Sequence, residues 1–205
     1  GIRDAHVIGY SMGGRVALAL AAWQPERVRS ALLVGASAGI SEPDAREERR
    51  RRDEALAARI ERDGVEAFVD AWMQLPLFAS QQRLGREALG RARAQRLRNL
   101  PHGLANSLRG MGTGAQPALH PALGGIRAPV RLVTGAGDTK FTAIAHQLAN
   151  RLPNARVDVI PGAGHACHIE APREFVRIAR DFLGEVACDT ATTPTTVPMH
   201  GGVHT

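Results

Sequence analysis

The chain has 205 residues, of which 44% are hydrophobic and 22% are charged, a composition typical of one soluble globular domain with a sizeable core. We find no charge-free apolar run near the ~18 residues of a membrane span and no signal peptide, so we expect no membrane association. Two cysteines, Cys167 and Cys188, cannot form a disulfide framework, which favours a reducing, cytoplasmic setting.

The charge balance favours anionic small-molecule partners over nucleic acid. The net charge is +6, and Lys140 is the only lysine, so the other basic residues are arginines. Arginine is the side chain best suited to forked recognition of carboxylates. Aromatic residues, at 4%, are too few for the stacking platforms that bind single-stranded nucleic acid.

Strand patterns alternate with helical patterns along most of the chain. Four short apolar runs predict strands at Ala5–Gly9, Ala31–Gly35, Val130–Gly135 and Val157–Pro161. Helical patterns occupy Arg15–Trp23, Ala143–Leu152 and Pro172–Leu183. This alternation predicts an α/β domain with a mainly parallel sheet.

Residues 42–121 break the alternation and are predicted to form a helical lid. Their helical patterns are Asp44–Glu61, Val65–Gln74, Arg83–Leu97 and Gly103–Gly110. We expect this insertion to cover the carboxyl edge of the sheet, where open α/β sheets bind ligands. Residues 1–41 and 122–186 would form the core, and residues 187–205, rich in Thr, Pro, Gly and His, a disordered tail.

The residues Gly9-Tyr10-Ser11-Met12-Gly13 match the G-x-S-x-G nucleophile elbow. A second match, Gly35–Gly39 with Ser37 at its centre, means that the pattern alone decides nothing. An elbow needs a strand before it, a helix directly after it and small flanking residues. The first match meets these demands, whereas the second is followed by a loop, so Ser11 is the predicted nucleophile-position residue.

A serine in this role needs a histidine base and a carboxylate that orients the base. In α/β-hydrolases the chain order is Ser, acid, His. Asp138 and His165 each follow a predicted strand in that order, so we predict a Ser11–His165–Asp138 triad. The alternatives are Asp158, which lies within a strand pattern, and His168, which begins the next helix.

The segment H-A-C-H offers a second interpretation, a metal site at His165, Cys167 and His168. No other cluster supplies a fourth ligand at a credible spacing, and metal binding would consume the triad imidazole. We therefore predict no metal.

Five segments together resemble the 2-succinyl-6-hydroxy-2,4-cyclohexadiene-1-carboxylate synthase family of menaquinone biosynthesis, whose members have the α/β-hydrolase fold. The elbow and histidine motifs are shared across the superfamily, but the two lid segments are more specific. The segments are G-Y-S-M-G-G-R-V-A-L (Gly9–Leu18), F-V-D-A-W-M-Q-L-P-L-F-A-S (Phe68–Ser80), L-R-G-M-G-T-G-A-Q-P (Leu108–Pro117), G-D-T-K-F (Gly137–Phe141) and P-G-A-G-H-A-C-H (Pro161–His168).

This resemblance implies a lyase that eliminates pyruvate from 2-succinyl-5-enolpyruvyl-6-hydroxy-3-cyclohexene-1-carboxylate without a cofactor. Ser11, activated by its partners, would abstract a ring proton, and the Met12 N–H would contribute to an oxyanion hole. The substrate would be bound by Tyr10, Arg15, Arg49, Trp72 and Arg96, with Arg93 as the alternative to Arg96.

Each of these assignments has a plainer alternative. Most of the charged run Arg46–Asp53 resembles a solvated helix face, with Glu47–Arg51 and Glu48–Arg52 as i,i+4 pairs worth only ~0.2–0.5 kcal/mol each. Trp72 is equally compatible with the lid core. A generic esterase or C–C hydrolase, or an inactive fragment, is the alternative function.

Relatives in this family begin with several strands, including a His-Gly loop that supplies a second oxyanion donor. No such segment precedes Gly1 here, so we expect an N-terminally truncated chain with the first strand's edge exposed. We expect a monomer or a weak homo-oligomer.

Overall fold

A four-stranded parallel sheet forms the centre of the computed structural model, which describes the backbone of residues 1–191 and the side chains of residues 1–188. Its strands, in spatial and chain order, are β1 (Ala5–Tyr10), β2 (Val28–Val34), β3 (Val130–Gly135) and β4 (Ala155–Ile160). The helices are α1 (Met12–Trp23), α2 (Pro43–Met73), α3 (Gly85–Arg96), α4 (Pro101–Met111), α5 (Thr139–Ala149), α6 (Cys167–Glu170) and α7 (Pro172–Ala191). The predicted α/β architecture is confirmed.

Helices cover both faces of this sheet, as parallel sheets require. Successive residues of β2 point to opposite faces, and both sets are buried. Ala31 and Leu33 pack in one core with α1 and α5, whereas Leu32 and Val34 pack in a second core with α7. This burial on both sides explains the continuous apolar run that predicted the strand.

The helical insertion (residues 42–121) contains α2, α3 and α4 between β2 and β3. Its first helix is broken at Gly64, where φ is +85°, close to the break predicted between Glu61 and Val65. The Arg109 guanidinium on α4 joins Glu54 and Glu61 of α2, at 2.8 and 2.7 Å. These contacts join α2 to α4 within the insertion.

The outer surface of α2 carries charge pairs close to those expected. Arg52 bonds Glu48 at 2.8 Å, as predicted. Glu47, expected to pair with Arg51, instead lies 3.7 Å from Arg50. These four side chains are largely exposed, so this part of the run is a solvated helix face.

The last helix continues past its predicted end. Helix α7 runs through Gly184 to Ala191, so residues 187–191 are helical instead of belonging to the expected tail. Burial of Val186 one turn after Phe182, together with an ion pair between Glu185 and Arg131 at 3.0 Å, offsets the low helix propensity of Gly184. The remainder of the predicted tail, residues 192–205, lies outside the described residues.

Strand β1 lies at one edge of the described sheet and pairs with β2. Ile8 on this strand is 54% exposed, and Val16 and Trp23 on the following helix are also exposed. The exposed edge matches the expectation from the sequence. Among residues 1–191, no helix is long and apolar enough to cross a membrane.

Candidate active site

The turn between β1 and α1 holds Ser11 in a strained conformation. Its φ is +51°, the one positive φ outside glycine in the described part of the chain. A Cβ at Gly9 would collide with the backbone of Gly13, and one at Gly14 would lie 2.7 Å from Ala36 Cβ. Small residues at 9 and 14 are therefore required, whereas a Cβ at Gly13 would meet nothing within 4 Å. These are the features of a nucleophile elbow.

Ser11, His165 and Asp138 form a continuous hydrogen-bonded chain. The Ser11 Oγ lies 3.2 Å from His165 Nε2, and His165 Nδ1 lies 2.6 Å from Asp138 Oδ2. The other Asp138 oxygen accepts a hydrogen bond from the Phe141 N–H at 3.2 Å, which fixes the carboxylate at the start of α5. Both residues are buried: His165 is 2% exposed and Asp138 is 8% exposed.

Gly35, the first residue of the second G-x-S-x-G match, contacts the triad histidine. Gly35 has a φ of +56°, and a Cβ there would lie 2.8 Å from His165 Cε1. The imidazole therefore lies directly on the Gly35 backbone. Ser37 instead lines a separate cavity of about 380 Å³ with His120 and Arg151, so the prediction against Ser37 agrees with the geometry.

Tyr10 and the two alternative histidines lie side by side. The Tyr10 ring lies 5.3 Å from the His165 ring and 4.4 Å from the His168 ring, measured between centroids. Burial raises the pKa of Tyr10 above its ordinary value, so the phenol stays protonated. Burial also lowers the pKa of His168, with the nearby His165 as a second cause. His168 contacts the rings of Tyr10 and Phe175 and belongs to the wall of the site.

Aromatic side chains of the insertion extend this wall. Phe78 makes an edge contact with His165 at 6.1 Å between centroids, and Trp72 packs on Phe78 at 5.7 Å. Trp72 also contacts Phe68, so it is part of an aromatic cluster inside the insertion. The Phe141 ring lies 4.6 Å from the imidazole, measured between centroids.

Arg15 lies one turn after Ser11 and is fixed by the last part of the insertion. One nitrogen donates to Gln116 Oε1 at 2.7 Å and another donates to the Met111 carbonyl at 2.8 Å. The Gln116 side chain is nearly buried, so this contact orients the guanidinium firmly. Burial lowers the pKa of Arg15, with the charge of Arg49 as a second cause.

Arg49 reaches the same region from α2. Its Nε donates to Asp53 at 2.8 Å, and the buried Asp53 also accepts a hydrogen bond from the Gly114 N–H at 3.2 Å. A Cβ at Gly114 would collide with the backbone of Arg50, and one at Gly112 with the Leu108 carbonyl, which explains two of the three glycines of the G-M-G-T-G segment. Arg15 and Arg49 are thus both held by the segment 111–116, Arg15 directly and Arg49 through Asp53.

The structure separates Arg96 from its alternative Arg93. Arg93 binds Asp70 and Glu66, each at 2.7 Å, on the outside of the insertion. Arg96 carries its charge close enough to Tyr10 to act on the pKa of that phenol, opposing the effect of burial. Its hydrogen bond to the Ala92 carbonyl, at 3.0 Å, leaves further donors for a ligand.

The alpha/beta hydrolase fold family matches residues 1–172. The chain belongs to this family. Within it, the chain belongs to the 2-succinyl-6-hydroxy-2,4-cyclohexadiene-1-carboxylate synthases. It is 47% identical to the protein of that name from Bacillus subtilis (strain 168), with 90% of this chain and 68% of the relative covered. A Serratia proteamaculans (strain 568) protein of the same name is 32% identical, with 89% and 69% covered. The structure of MenH from S. aureus matches with a TM-score of 0.87 and 40% identity, covering 90% of this chain and 69% of that one.

Several residues of this α/β-hydrolase-fold site were not assigned from the sequence. Gln116, Phe78 and Phe141 lie within the quoted family segments, so a signal was present, but nothing local indicated their partners. Glu170 contacts the backbone on both sides of His165. The only indication of this role in the sequence was its position five residues after His165.

The Cys167 thiol, two residues after the triad histidine, is protonated at neutral pH and therefore a poor nucleophile. Cys167 is fully buried, and burial raises its pKa to about 12. Within the described residues, no three His, Cys, Asp or Glu side chains are placed to hold a metal ion.

Proposed function

We propose that this chain eliminates pyruvate from 2-succinyl-5-enolpyruvyl-6-hydroxy-3-cyclohexene-1-carboxylate, the reaction of the synthase family. The observation that carries the proposal is an elbow serine, hydrogen-bonded to its histidine, with Arg15 one turn later on the same helix. A second arginine, Arg49, is tied through Asp53 to the segment that binds Arg15. A neutral ester would have no use for these charges, whereas a tricarboxylate substrate needs them.

The locants of substrate and product define the bond changes. The ring double bond at C3 becomes double bonds at C2 and C4, so the C2 proton and the C5 enolpyruvyl group leave. We propose that Ser11 takes the C2 proton as its own proton passes to His165 Nε2, 3.2 Å away. The C5–O bond then breaks, and the enolpyruvate that leaves takes up a proton to become pyruvate.

Asp138 would support this transfer by holding the imidazole. Its 2.6 Å contact with Nδ1 fixes the tautomer that leaves Nε2 free to accept the serine proton. It also stabilises the imidazolium that forms. Because both residues are nearly excluded from water, this interaction is stronger than it would be on the surface.

Negative charge would develop on the succinyl carbonyl as the C2 proton leaves. We propose that the Met12 N–H, at the first position of α1, donates to this oxygen. The positive end of the helix dipole adds to the stabilisation. No metal or cofactor takes part in this scheme.

The substrate carboxylates would bind the three arginines. Arg15, oriented by Gln116, and Arg49, oriented by Asp53, would bind carboxylates close to the serine, and Arg96 another near Tyr10. Each charged contact is worth ~1.5–3 kcal/mol. Trp72 would act through the aromatic cluster behind Phe78.

Pyruvate release from the full chain, measured with a lactate dehydrogenase couple, tests this function. Ser11→Ala should reduce the rate by at least about 100-fold, because it removes the proposed base. Ser37→Ala is the matched control, since it alters the other G-x-S-x-G serine and should leave the rate within twofold of the parent. Hydrolysis of p-nitrophenyl esters faster than pyruvate release, by the same chain, would instead favour an esterase.

A further inference from the structure

Glu170 is a buried carboxylate bonded to the backbone around His165. Its side chain is 2% exposed. It accepts hydrogen bonds from the Gly164 N–H at 2.8 Å and from the Ala166 N–H at 3.3 Å, the residues directly before and after His165. A buried charge is stable only when it is hydrogen-bonded or paired, so this carboxylate favours one conformation of residues 161–166, the histidine loop between β4 and α6.

Arg83, a residue of the helical insertion, also bonds Glu170 and the histidine loop. Its Nη2 donates to Glu170 at 3.3 Å and to the Gly162 carbonyl, while its Nε donates to the Ser80 carbonyl at 3.1 Å. Arg83 belongs to the 3-10 segment Pro76–Leu84 of the insertion, so its guanidinium links that segment to the histidine loop.

The same 3-10 segment is in close contact with the loop and the imidazole. A Cβ at Gly164 would collide with the Ser80 side chain, so Ser80 packs directly on the backbone of the histidine loop. Phe78, from this segment, packs on the His165 ring. Any displacement of the segment therefore alters the surroundings of the imidazole.

We propose that Glu170 and Arg83 are positioning residues that couple the helical insertion to His165. Glu170 holds the histidine loop, and Arg83, on the same segment as Phe78, bonds that loop. The imidazole is therefore in position to bond Ser11 when the insertion makes these contacts. The proposal rests on the role proposed for His165, but not on the identity of the substrate.

Two readouts on the full chain test this coupling without turnover. A fluorophosphonate labels an activated serine: the Oγ–P bond forms, fluoride leaves and the Oγ proton passes to the histidine. The downfield proton signal of the His165 Nδ1–H, assigned by its loss in His165→Gln, reports the contact with Asp138 directly.

Glu170→Gln should slow Ser11 labelling by at least about tenfold and shift or broaden the downfield signal, since small displacements of a catalytic base are costly. The matched control is Glu174→Gln. It alters an exposed carboxylate, four residues after Glu170, that pairs with Arg177 at 2.6 Å. This control should label within twofold of the parent. Parental labelling and an unmoved signal in Glu170→Gln would overturn the proposal.

Arg83→Leu tests the link to the insertion and does not bury a new polar group. It should slow labelling at least about threefold, and Arg83→Lys should restore the rate at low salt, because the pair is partly exposed and screened by salt. Parental labelling in Arg83→Leu would overturn the coupling. If Glu170→Gln fails to fold, Arg83→Leu decides. If the parent itself is not labelled, the role of Ser11 fails, and the proton signal alone decides the coupling.

Discussion

Gly35→Ala tests the contact on which the position of His165 depends. The new Cβ would lie 2.8 Å from His165 Cε1, and ordinary contact begins at 3.4 Å, so the ring must withdraw by about 0.6 Å. The positive φ adds a backbone cost of about 1–2 kcal/mol for a residue with a Cβ. A displacement approaching 1 Å in a catalytic group costs on the order of 10²-fold, so we expect a loss of about 10- to 100-fold.

The assay is pyruvate release by the full chain, with the free energy of unfolding measured by urea denaturation. Gly13→Ala is the matched control, because its Cβ would meet nothing within 4 Å although it lies in the elbow itself. It should retain the parental rate. A Gly35→Ala chain that releases pyruvate within twofold of the parent would refute the reasoning, since the imidazole could then tolerate the added methyl group.

Three further substitutions or treatments test other parts of the structure. Arg96→Ala should raise the KM for pyruvate release about tenfold or more, through loss of a charged contact, whereas Arg93→Ala should leave it near the parental value; steady-state kinetics that show the reverse would restore Arg93 as the ligand. Cys167, whose pKa burial raises to about 12, should resist iodoacetamide at pH 9 in the native chain and react in urea, because the thiolate forms only well above that pH; mass spectrometry that finds rapid native alkylation would contradict this. Gly184→Ala should stabilise the chain by about 0.5–1 kcal/mol in urea denaturation, because Gly184 lies inside α7 with open space at its Cβ position; an unchanged or lower stability would indicate that the helix ends there.

The sequence predicted those features of the fold and the site that depend on residues close together in the chain. The third strand was predicted at Val130–Gly135, where the structure places β3, because its apolar run and terminal glycine are both local features. The elbow at Ser11 followed from a strand, a tight turn and a helix in immediate succession. Asp138 and His165 followed from their order after strands, since parallel strands bring their carboxyl ends to one edge.

Long-range partners decided the features that the sequence left open. Arg93 and Arg96 lie three residues apart on one helix, and only the positions of Asp70 and Tyr10 distinguish their surroundings. The extension of α7 depends on a buried site for Val186 that no local pattern around it reveals. The contact between Gly35 and His165 joins residues separated by more than half of the chain.

The guanidiniums of Arg15 and Arg49 also link ligand binding to stability. The charge of Arg49 disfavours that of Arg15, an effect that Asp53 partly offsets, and a bound dianion would favour both charges. A small dicarboxylate should therefore act as a thermal stabiliser of this chain, with a melting temperature that climbs as its concentration passes the dissociation constant. The same electrostatics makes sodium chloride a competitor, so the gain in melting temperature shrinks as ionic strength grows.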